Sequence, residues 1–255
     1  MSRIVELFLV TLVIMALPGL APANLVWSTS VGCSVYDGVN EDVVVYDDIE
    51  SPFVGSHAAQ LGDLQAAAAY DFRWDSFAGQ FLVNALQTGP NTSEYSYSTC
   101  GGFIGLTSSF ALDISLSASY DFILPGSTTE AVLEMTVGRI ELPGPGFVVI
   151  WSESDDVVAG SDPLSGALSI AESMILPAGH MYVVSYAMTL YVDGGGTADL
   201  QPLFGDGVVK VQFAKVPEPS ALMIMCFSIT IFGRRASGSR SMPRPTPTEH
   251  LPSAA

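Results

Sequence analysis

The sequence predicts an all-β protein whose main domain is an antiparallel β-sandwich of the jelly-roll type. Several short segments alternate apolar and polar residues or are rich in β-branched residues, and each is bounded by Gly, Pro or Ser. Strands do not alternate with helical segments in the manner of a parallel α/β sheet. The domain, residues 24–215, contains 192 residues, which is enough for one sizeable core.

The first part of this domain contains two strands and one helical candidate. Residues 24–35 alternate apolar and small polar side chains, residues 37–42 (DGVNED) predict a turn, and residues 43–46 are a second β-branched run. Residues 57–69 are rich in Ala, Gln and Leu and predict a helix. Residues 77–86 fit either a strand or a helix.

A Tyr-Asp-Phe triplet occurs twice, each time after a run of small residues. The first copy lies in AAAAYDFRW (66–74) and the second in LSASYDFIL (116–124). Because successive side chains of a strand point to opposite faces, the recurrence predicts two equivalent strands of one sandwich. Four aromatic residues are expected on matching faces, with two aspartates pointing away: Tyr70, Phe72, Tyr120 and Phe122, and Asp71 and Asp121.

The second half of the domain predicts further strands. Residues 103–110, 111–123, 131–142 and 146–151 each fit one strand, and residues 165–176 fit a strand pair. In residues 181–192 the even-numbered side chains are apolar, which predicts a strand buried mainly on one side. The triplet 194–196 (GGG) then predicts a hairpin turn.

The C-terminal segment 216–235 combines three features in a fixed order. They are the triplet Pro217, Glu218 and Pro219, an apolar run over residues 221–233, and the basic pair Arg234 and Arg235. The two prolines break helix and sheet pairing. As a helix the 13 apolar residues would span about 20 Å, less than the roughly 30 Å of a bilayer core, so the segment predicts a marginal transmembrane anchor.

This order of features resembles the PEP-CTERM sorting signal of Gram-negative bacteria. The resemblance implies an exported protein held transiently in the inner membrane, cut near the triplet by an exosortase-type transpeptidase, and passed to the envelope or extracellular matrix in association with exopolysaccharide. An ordinary tail anchor is the alternative. Residues 236–255 form a basic tail rich in Ser, Pro and Thr, expected to be cytoplasmic and without ordered structure.

The N-terminus predicts export independently. Arg3 provides a positive charge, residues 7–17 are apolar, and Ala21 and Ala23 form an A-x-A cleavage site, so residues 1–23 fit a signal peptide for Sec export and signal peptidase. The mature chain then begins at Asn24. A retained N-terminal anchor is the alternative.

Charge and cysteine content fit an exported domain. Residues 24–215 carry four basic and 23 acidic side chains, a net charge of −19 that excludes nucleic acid as a partner. Cys33 and Cys100 are the two cysteines of this region. An oxidising compartment permits a disulfide between them, and two unpaired thiols are the alternative.

The sequence offers little catalytic chemistry, and we expect no enzymatic activity. His57 and His180 have no metal-ligand spacing, no G-x-S-x-G elbow is present, and Cys100 has no identifiable base. A pair of carboxylates acting as a hydrolase is the remaining catalytic hypothesis. No cofactor is expected, although Asp37, Asn40 and Asp42 are candidate calcium ligands whose simpler role is a solvated turn.

These observations favour a sorted envelope or matrix protein with a structural or adhesive role. The alternative is a secreted carbohydrate-binding module that recognises exopolysaccharide. The alternative draws on Trp27, Trp74 and Trp151, which can stack on sugar rings if exposed and otherwise pack in the core.

Overall fold

Twelve antiparallel strands account for the regular structure of the residues that are described below. A computed structural model of the chain describes residues 25–46, 53–75, 77–89, 95–125, 129–141, 146–192 and 203–217. The strands are β1 (Leu25–Tyr36), β2 (Glu41–Tyr46), β3 (Phe53–Leu61), β4 (Leu64–Trp74), β5 (Ala78–Gly89), β6 (Ser96–Ser108), β7 (Leu112–Leu124), β8 (Thr129–Glu141), β9 (Gly146–Val158), β10 (Leu164–Leu176), β11 (Met181–Val192) and β12 (Leu203–Lys215).

The strands form two six-stranded sheets, and the predicted β-sandwich is confirmed. The first sheet has the order β2-β1-β6-β11-β8-β9 and the second the order β10-β7-β12-β5-β4-β3. Within these sheets the consecutive strands β5 to β12 have the order β6-β11-β8-β9 facing β5-β12-β7-β10, which is the strand order of an eight-stranded jelly roll. The hairpins β1-β2 and β3-β4 extend one sheet each.

The core lies between the sheets and is filled by alternate residues of the inner strands. Strand β7 shows this alternation in full, because Leu112, Ile114, Leu116, Ala118, Tyr120, Phe122 and Leu124 are buried while the residues between them are exposed. Such period-two alternation is what a strand with one wet face requires. The predicted faces of the Tyr-Asp-Phe strands are confirmed, since Tyr70, Phe72, Tyr120 and Phe122 are all buried in the core cluster.

Two sequence predictions about local structure are wrong. Residues 57–69 are not helical: they end β3 and begin β4, joined at Gly62, whose φ of 60° suits a tight turn. Pairing of β3 with β4 and of β4 with β5 outweighs the helix propensity of alanine there, and Ala66 and Ala68 are buried in the core. Residues 164–176 form the single strand β10, not a strand pair. The prediction for strand β11, by contrast, is confirmed: all its even-numbered side chains from Tyr182 to Val192 are buried, whereas most of the odd-numbered ones are half-buried.

An aspartate bridges the two sheets at each open side of the sandwich. On one side the Asp42 Oδ2 of edge strand β2 accepts a hydrogen bond from the Gln60 backbone N–H of edge strand β3, at 2.8 Å. On the other side the Asp155 Oδ2 of β9 accepts one from the Ser169 N–H of β10, at 2.9 Å. Each carboxylate therefore satisfies a backbone donor that an edge strand leaves without a neighbouring strand.

Strand β12 is the last of the described strands, and its end at Lys215 directly precedes the C-terminal segment 216–235. The Val216 N–H donates to the Ala111 carbonyl at 2.9 Å and so closes the strand pair with β7. The chain divides into two units, residues 1–216 and 217–255. Of the second unit the structure describes only Pro217, which is exposed.

Candidate functional site

The outer face of the first sheet carries a group of four aromatic side chains, here called the tyrosine cluster: Tyr36, Tyr95, Tyr97 and Tyr191. In the sheet register Tyr97 of β6 lies opposite Tyr36 of β1 and opposite Tyr191 of β11. Residues opposite each other point to the same face, and the neighbours Val35 and Val192 are buried in the core. The cluster therefore faces away from the core.

The rings of the cluster contact each other in a continuous row. Tyr36 and Tyr97 stack with ring centroids 5.5 Å apart, and Tyr95 and Tyr191 stack at 6.0 Å. Tyr97 lies 6.2 Å from Tyr191 and 6.3 Å from Tyr95. Tyr95 is 47% exposed and the other three are half-buried, so the row presents ring faces or edges to solvent.

Polar groups border the rings. The Tyr97 hydroxyl donates to the Glu41 Oε1 at 3.2 Å, and the Tyr36 hydroxyl donates to the Gly38 carbonyl at 2.7 Å. Burial, together with the charge of Glu41, raises the pKa of Tyr97 to about 12. In the adjacent row of the sheet, the hydroxyls of Thr99 and Thr189 form a hydrogen bond of 3.0 Å.

Carboxylates also flank the other end of the cluster. Glu130 of β8 lies opposite Tyr191 in the register. Burial raises the pKa of Tyr191, and the nearby charges of Glu134 and Glu130 add to the rise. The raised pKa keeps the hydroxyls of Tyr97 and Tyr191 protonated at neutral pH, with the side chains of Glu41 and Glu130 nearby. Aromatic faces next to hydroxyl and carboxylate groups suit a ligand with apolar C–H faces and many hydroxyls.

The tryptophans singled out from the sequence do not form such a surface. Trp74 and Trp151 are partly buried and pack against the core. The side chain of Trp27 lies outside the part that the structure describes. Tyr36 and Tyr191 each fall at a strand end and Tyr97 near a strand start, but their proximity depends on the strand order β1-β6-β11, which joins residues far apart in sequence. Sequence reasoning therefore missed the cluster.

The two cysteines of the domain are neighbours in the first sheet. Cys33 of β1 lies directly opposite Cys100 of β6, and their Sγ atoms are 3.2 Å apart without a covalent bond. Both are buried, at 1% and 0% exposure. Cys100 also lies 3.5 Å from the Ala67 carbonyl of the facing sheet. The pair thus has the proximity that the disulfide prediction requires.

His57 lies next to this thiol pair, not on the surface. It is 8% exposed, its Nδ1 is hydrogen-bonded to the Tyr70 hydroxyl, and its ring packs against Tyr46 at 5.2 Å. The buried Nε2 has no hydrogen-bond partner. The hydrogen bond from Cys100 and, to a smaller extent, the nearby His57 together lower the pKa of Cys33 to about 6 against the effect of burial, while the pKa of Cys100 is raised. His180, by contrast, is exposed in a turn beside Tyr182.

The candidate calcium ligands are engaged in local hydrogen bonds. Asp37 accepts the backbone N–H groups of Val39 and Asn40 at 2.9 and 2.6 Å, which lowers its pKa. The Asn40 amide donates to the same carboxylate at 3.3 Å, whereas Asp42 is directed at Gln60 of β3. Among the residues that the structure describes, no three His, Cys, Asp or Glu side chains are grouped to hold a metal ion.

The terminal signals lie almost wholly outside the described residues. This applies to Ala21, Ala23 and Asn24, and to Glu218, Pro219, Arg234 and Arg235. In the ranges that are described, no helix is long and apolar enough to span a membrane.

Comparison with known proteins finds likeness only among solved structures. No family model matches the chain, and no curated protein matches it. An Eiger TNF structure from S. frugiperda is 11% identical, with a TM-score of 0.24, over 45% of this chain and 68% of that one. The tandem CBM22 domain of Paenibacillus barcinonensis Xyn10C is 10% identical, with a TM-score of 0.23, over 77% of this chain and 80% of that one. TmCBM61 in complex with β-1,4-galactotriose is 8% identical, with a TM-score of 0.19, over 66% of this chain and 90% of that one. At these TM-scores the likenesses carry no functional argument.

Proposed function

We propose that this protein is an exported, non-catalytic β-sandwich that adheres to polysaccharide in the bacterial envelope or extracellular matrix. The single observation that supports adhesion is the tyrosine cluster: a row of stacked, solvent-accessible rings on the outer face of a sheet, bordered by carboxylates and hydroxyls. The proposal requires no cofactor. Exopolysaccharide is the partner that the resemblance of the C-terminal signal implies.

The chemistry of the cluster matches a sugar chain. A pyranose ring has an apolar C–H face that stacks on an aromatic ring, while its hydroxyls donate to carboxylates such as Glu41 and accept from tyrosine hydroxyls. The contacts span several neighbouring strands, so consecutive sugar units along a polymer can occupy Tyr36, Tyr97 and Tyr191 in turn. The net charge of −19 over residues 24–215 favours neutral or amino sugars over polyuronates.

A binding assay with the host's own exopolysaccharide tests the adhesive role. Replacing Tyr97 or Tyr95 by Ala removes one stacking ring, and we expect affinity to fall about two- to twelvefold for each, from roughly 0.5–1.5 kcal/mol per aromatic contact. Tyr46→Ala is the matched control, because Tyr46 is 45% exposed, as Tyr95 is at 47%, and lies outside the cluster. Absence of saturable binding by the unsubstituted protein contradicts adhesion and favours a purely structural role.

We further propose that an exosortase-type transpeptidase releases the sandwich from a transient inner-membrane anchor. This step is supported by the sequence order of three features: Pro217, Glu218 and Pro219, then the apolar run, then Arg234 and Arg235. Intact-mass measurement on protein from its native host tests it. A mature C-terminus within residues 216–220 is expected. Peptides from residues 236–255 in the main species contradict sorting without affecting the adhesion test.

A further inference from the structure

Three features together indicate a reactive site: the thiol pair, the histidine beside it, and their common position toward one side of the sandwich. We propose that Cys33 and Cys100 form a thiol–disulfide exchange site in which Cys33 attacks an incoming disulfide, Cys100 resolves the mixed disulfide, and His57 accepts the proton from Cys33. The substrate is a disulfide-bonded oxidant of the exported compartment, either a small disulfide or a protein one. The inference does not depend on polysaccharide binding.

The geometry of the sulfurs favours closure of a cross-strand disulfide. Cys33 and Cys100 are directly opposite each other on adjacent strands, and their Sγ atoms already lie 3.2 Å apart. Directly opposite side chains of an antiparallel pair have Cβ atoms about 4.5–5.5 Å apart, and a disulfide requires about 3.5–4.5 Å. Closure therefore requires the two side chains to approach each other slightly, within the existing pairing of β1 and β6.

The surroundings distinguish the two thiols. The hydrogen bond from Cys100 and the nearby His57 both lower the pKa of Cys33, while the pKa of Cys100 is raised by its hydrogen bond to Cys33 and by burial. Cys33 also lies on β1, next to the edge strand, whereas Cys100 lies one strand further in on β6. A thiolate is the attacking species in exchange, so the position of Cys33 beside His57 and near the edge assigns it as the nucleophile. The titratable groups near the pair, besides His57, are Tyr46 on β2, Tyr70 on β4, Tyr120 on β7 and Tyr186 on β11.

His57 is positioned to act as the proton acceptor. It is more than nine-tenths buried, and its Nδ1 is held by the Tyr70 hydroxyl. If Nδ1–H donates to the Tyr70 oxygen, the lone pair remains on Nε2, the atom that has no hydrogen-bond partner. A buried imidazole nitrogen without a partner costs stability, and a role as proton acceptor for the neighbouring thiol accounts for that cost.

The reaction balances without any further reactant. The Cys33 thiol gives its proton to His57, and its sulfur attacks one sulfur of the oxidant R–S–S–R, which releases one R–S⁻ and leaves a mixed disulfide on Cys33. Cys100 then loses its proton and attacks the Cys33 sulfur, forming the Cys33–Cys100 bond and releasing the second R–S⁻. The two released thiolates take up the two protons, so two protein thiols are oxidised and one disulfide is reduced to two R–SH.

Access to the buried pair runs through the edge strands. Cys33 lies on β1, next to edge strand β2, and His57 lies on edge strand β3. The side chain of Asp42 joins these two edges through the Gln60 N–H. We expect separation of β2 and β3 to expose Cys33 first, because edge strands are paired on one side only. Cys100 lies one strand further in, against the Ala67 carbonyl of β4, and is reached through the mixed disulfide on Cys33.

Trapping of the mixed disulfide tests the assignment in the full-length protein. Reduced Cys100→Ser and Cys33→Ser variants are incubated with oxidised glutathione and mapped by peptide mass spectrometry, which separates both sites from Cys226. Glutathione is expected on Cys33 in the first variant and largely absent from Cys100 in the second. Equal labelling of both thiols, or labelling of neither, overturns the proposal.

The pH dependence tests the role of His57. The Cys100→Ser variant is compared with the double variant that also carries His57→Gln. The pH at which glutathionylation of Cys33 is half-maximal is expected to be higher in the double variant, closer to the ~8.5 of an ordinary cysteine. His180→Gln, the same change at an exposed site, is the matched control and should not move that pH. An unchanged midpoint in His57→Gln overturns the role of the imidazole. If His57→Gln does not fold, the trapping experiment still decides whether Cys33 attacks.

Discussion

A buried glutamine ties the two sheets together and gives a quantitative test of the packing. Gln87 of β5 is fully buried, and its Nε2 donates to the Ser98 carbonyl at 3.1 Å and to the Met188 carbonyl at 2.7 Å, both in the opposite sheet. Its Oε1 accepts a hydrogen bond from the Tyr120 hydroxyl. The ring of Tyr120 has room because Gly205 on β12 lacks a Cβ at the point of contact.

Replacing Gln87 by Leu keeps the volume similar but removes every hydrogen bond of the amide. The Tyr120 hydroxyl is then buried without its acceptor, which costs about 1–3 kcal/mol, and the loss of each bond to a carbonyl costs about 0.5–1.5 kcal/mol. We expect a total loss of roughly 2–6 kcal/mol from a folding free energy of about 5–15 kcal/mol. Tyr120→Phe alone leaves the amide oxygen unpaired and should cost about 1–3 kcal/mol.

A double-mutant cycle measured by urea unfolding separates this network from simple loss of packing. In the double variant Gln87→Leu with Tyr120→Phe, neither partner remains unsatisfied, so its loss of stability should be smaller than the sum of the single losses by about 1–3 kcal/mol for each group that a single variant leaves unsatisfied. The slope of unfolding free energy against urea should stay constant across the series. Additive losses would refute the claim that the two side chains depend on each other.

Three further results are expected. Above pH 10 the free energy of unfolding should fall by about 1.4 kcal/mol per pH unit for each buried tyrosine such as Tyr186. Burial raises the folded-state pKa of such a tyrosine, so that only the unfolded state ionises in this range, and a flat profile from about pH 10 to 11 contradicts this. Gly207→Ala should cost about 1–3 kcal/mol in urea unfolding, since a Cβ there collides with the Met188 sulfur, whereas Gly160→Ala, in open space, should not. Asp42→Ala removes the acceptor of the Gln60 N–H and so frees edge strand β3. Oxidation of the thiol pair by oxidised glutathione should then be about two- to tenfold faster, and an unchanged rate argues against access through the edge strands.

Local alternation predicted the strands and their faces well. The two Tyr-Asp-Phe segments lie in the same sheet, as β4 and β7, with both tyrosines and both phenylalanines buried and Asp121 exposed. Period-two burial is a property of short segments, so a short window of sequence contains the information. The same logic explains why the Ala-rich segment 57–69 was predicted wrongly: alanine fits either period, and pairing with β5 decided the outcome.

The candidate sites could not be predicted to the same extent, because they depend on strand order. The register that places Tyr97 between Tyr36 and Tyr191 joins strands separated by long stretches of chain. Likewise, Cys33 and Cys100 were singled out as a pair from composition, but His57 reaches them only because edge strand β3 folds against β1 in the facing sheet. Sequence patterns carry no such long-range pairing information in a single chain.

Footprinting of the tyrosines during polysaccharide binding tests the account most directly. Tyr95 and Tyr46 are 47% and 45% exposed, so in the free protein both are open to nitration by tetranitromethane, which peptide mass spectrometry quantifies. With the host exopolysaccharide present, nitration of Tyr95 and Tyr97 should fall severalfold while nitration of Tyr46 stays constant. Equal nitration of the cluster with and without polysaccharide, despite saturable binding, would contradict the claim that this surface is the binding site.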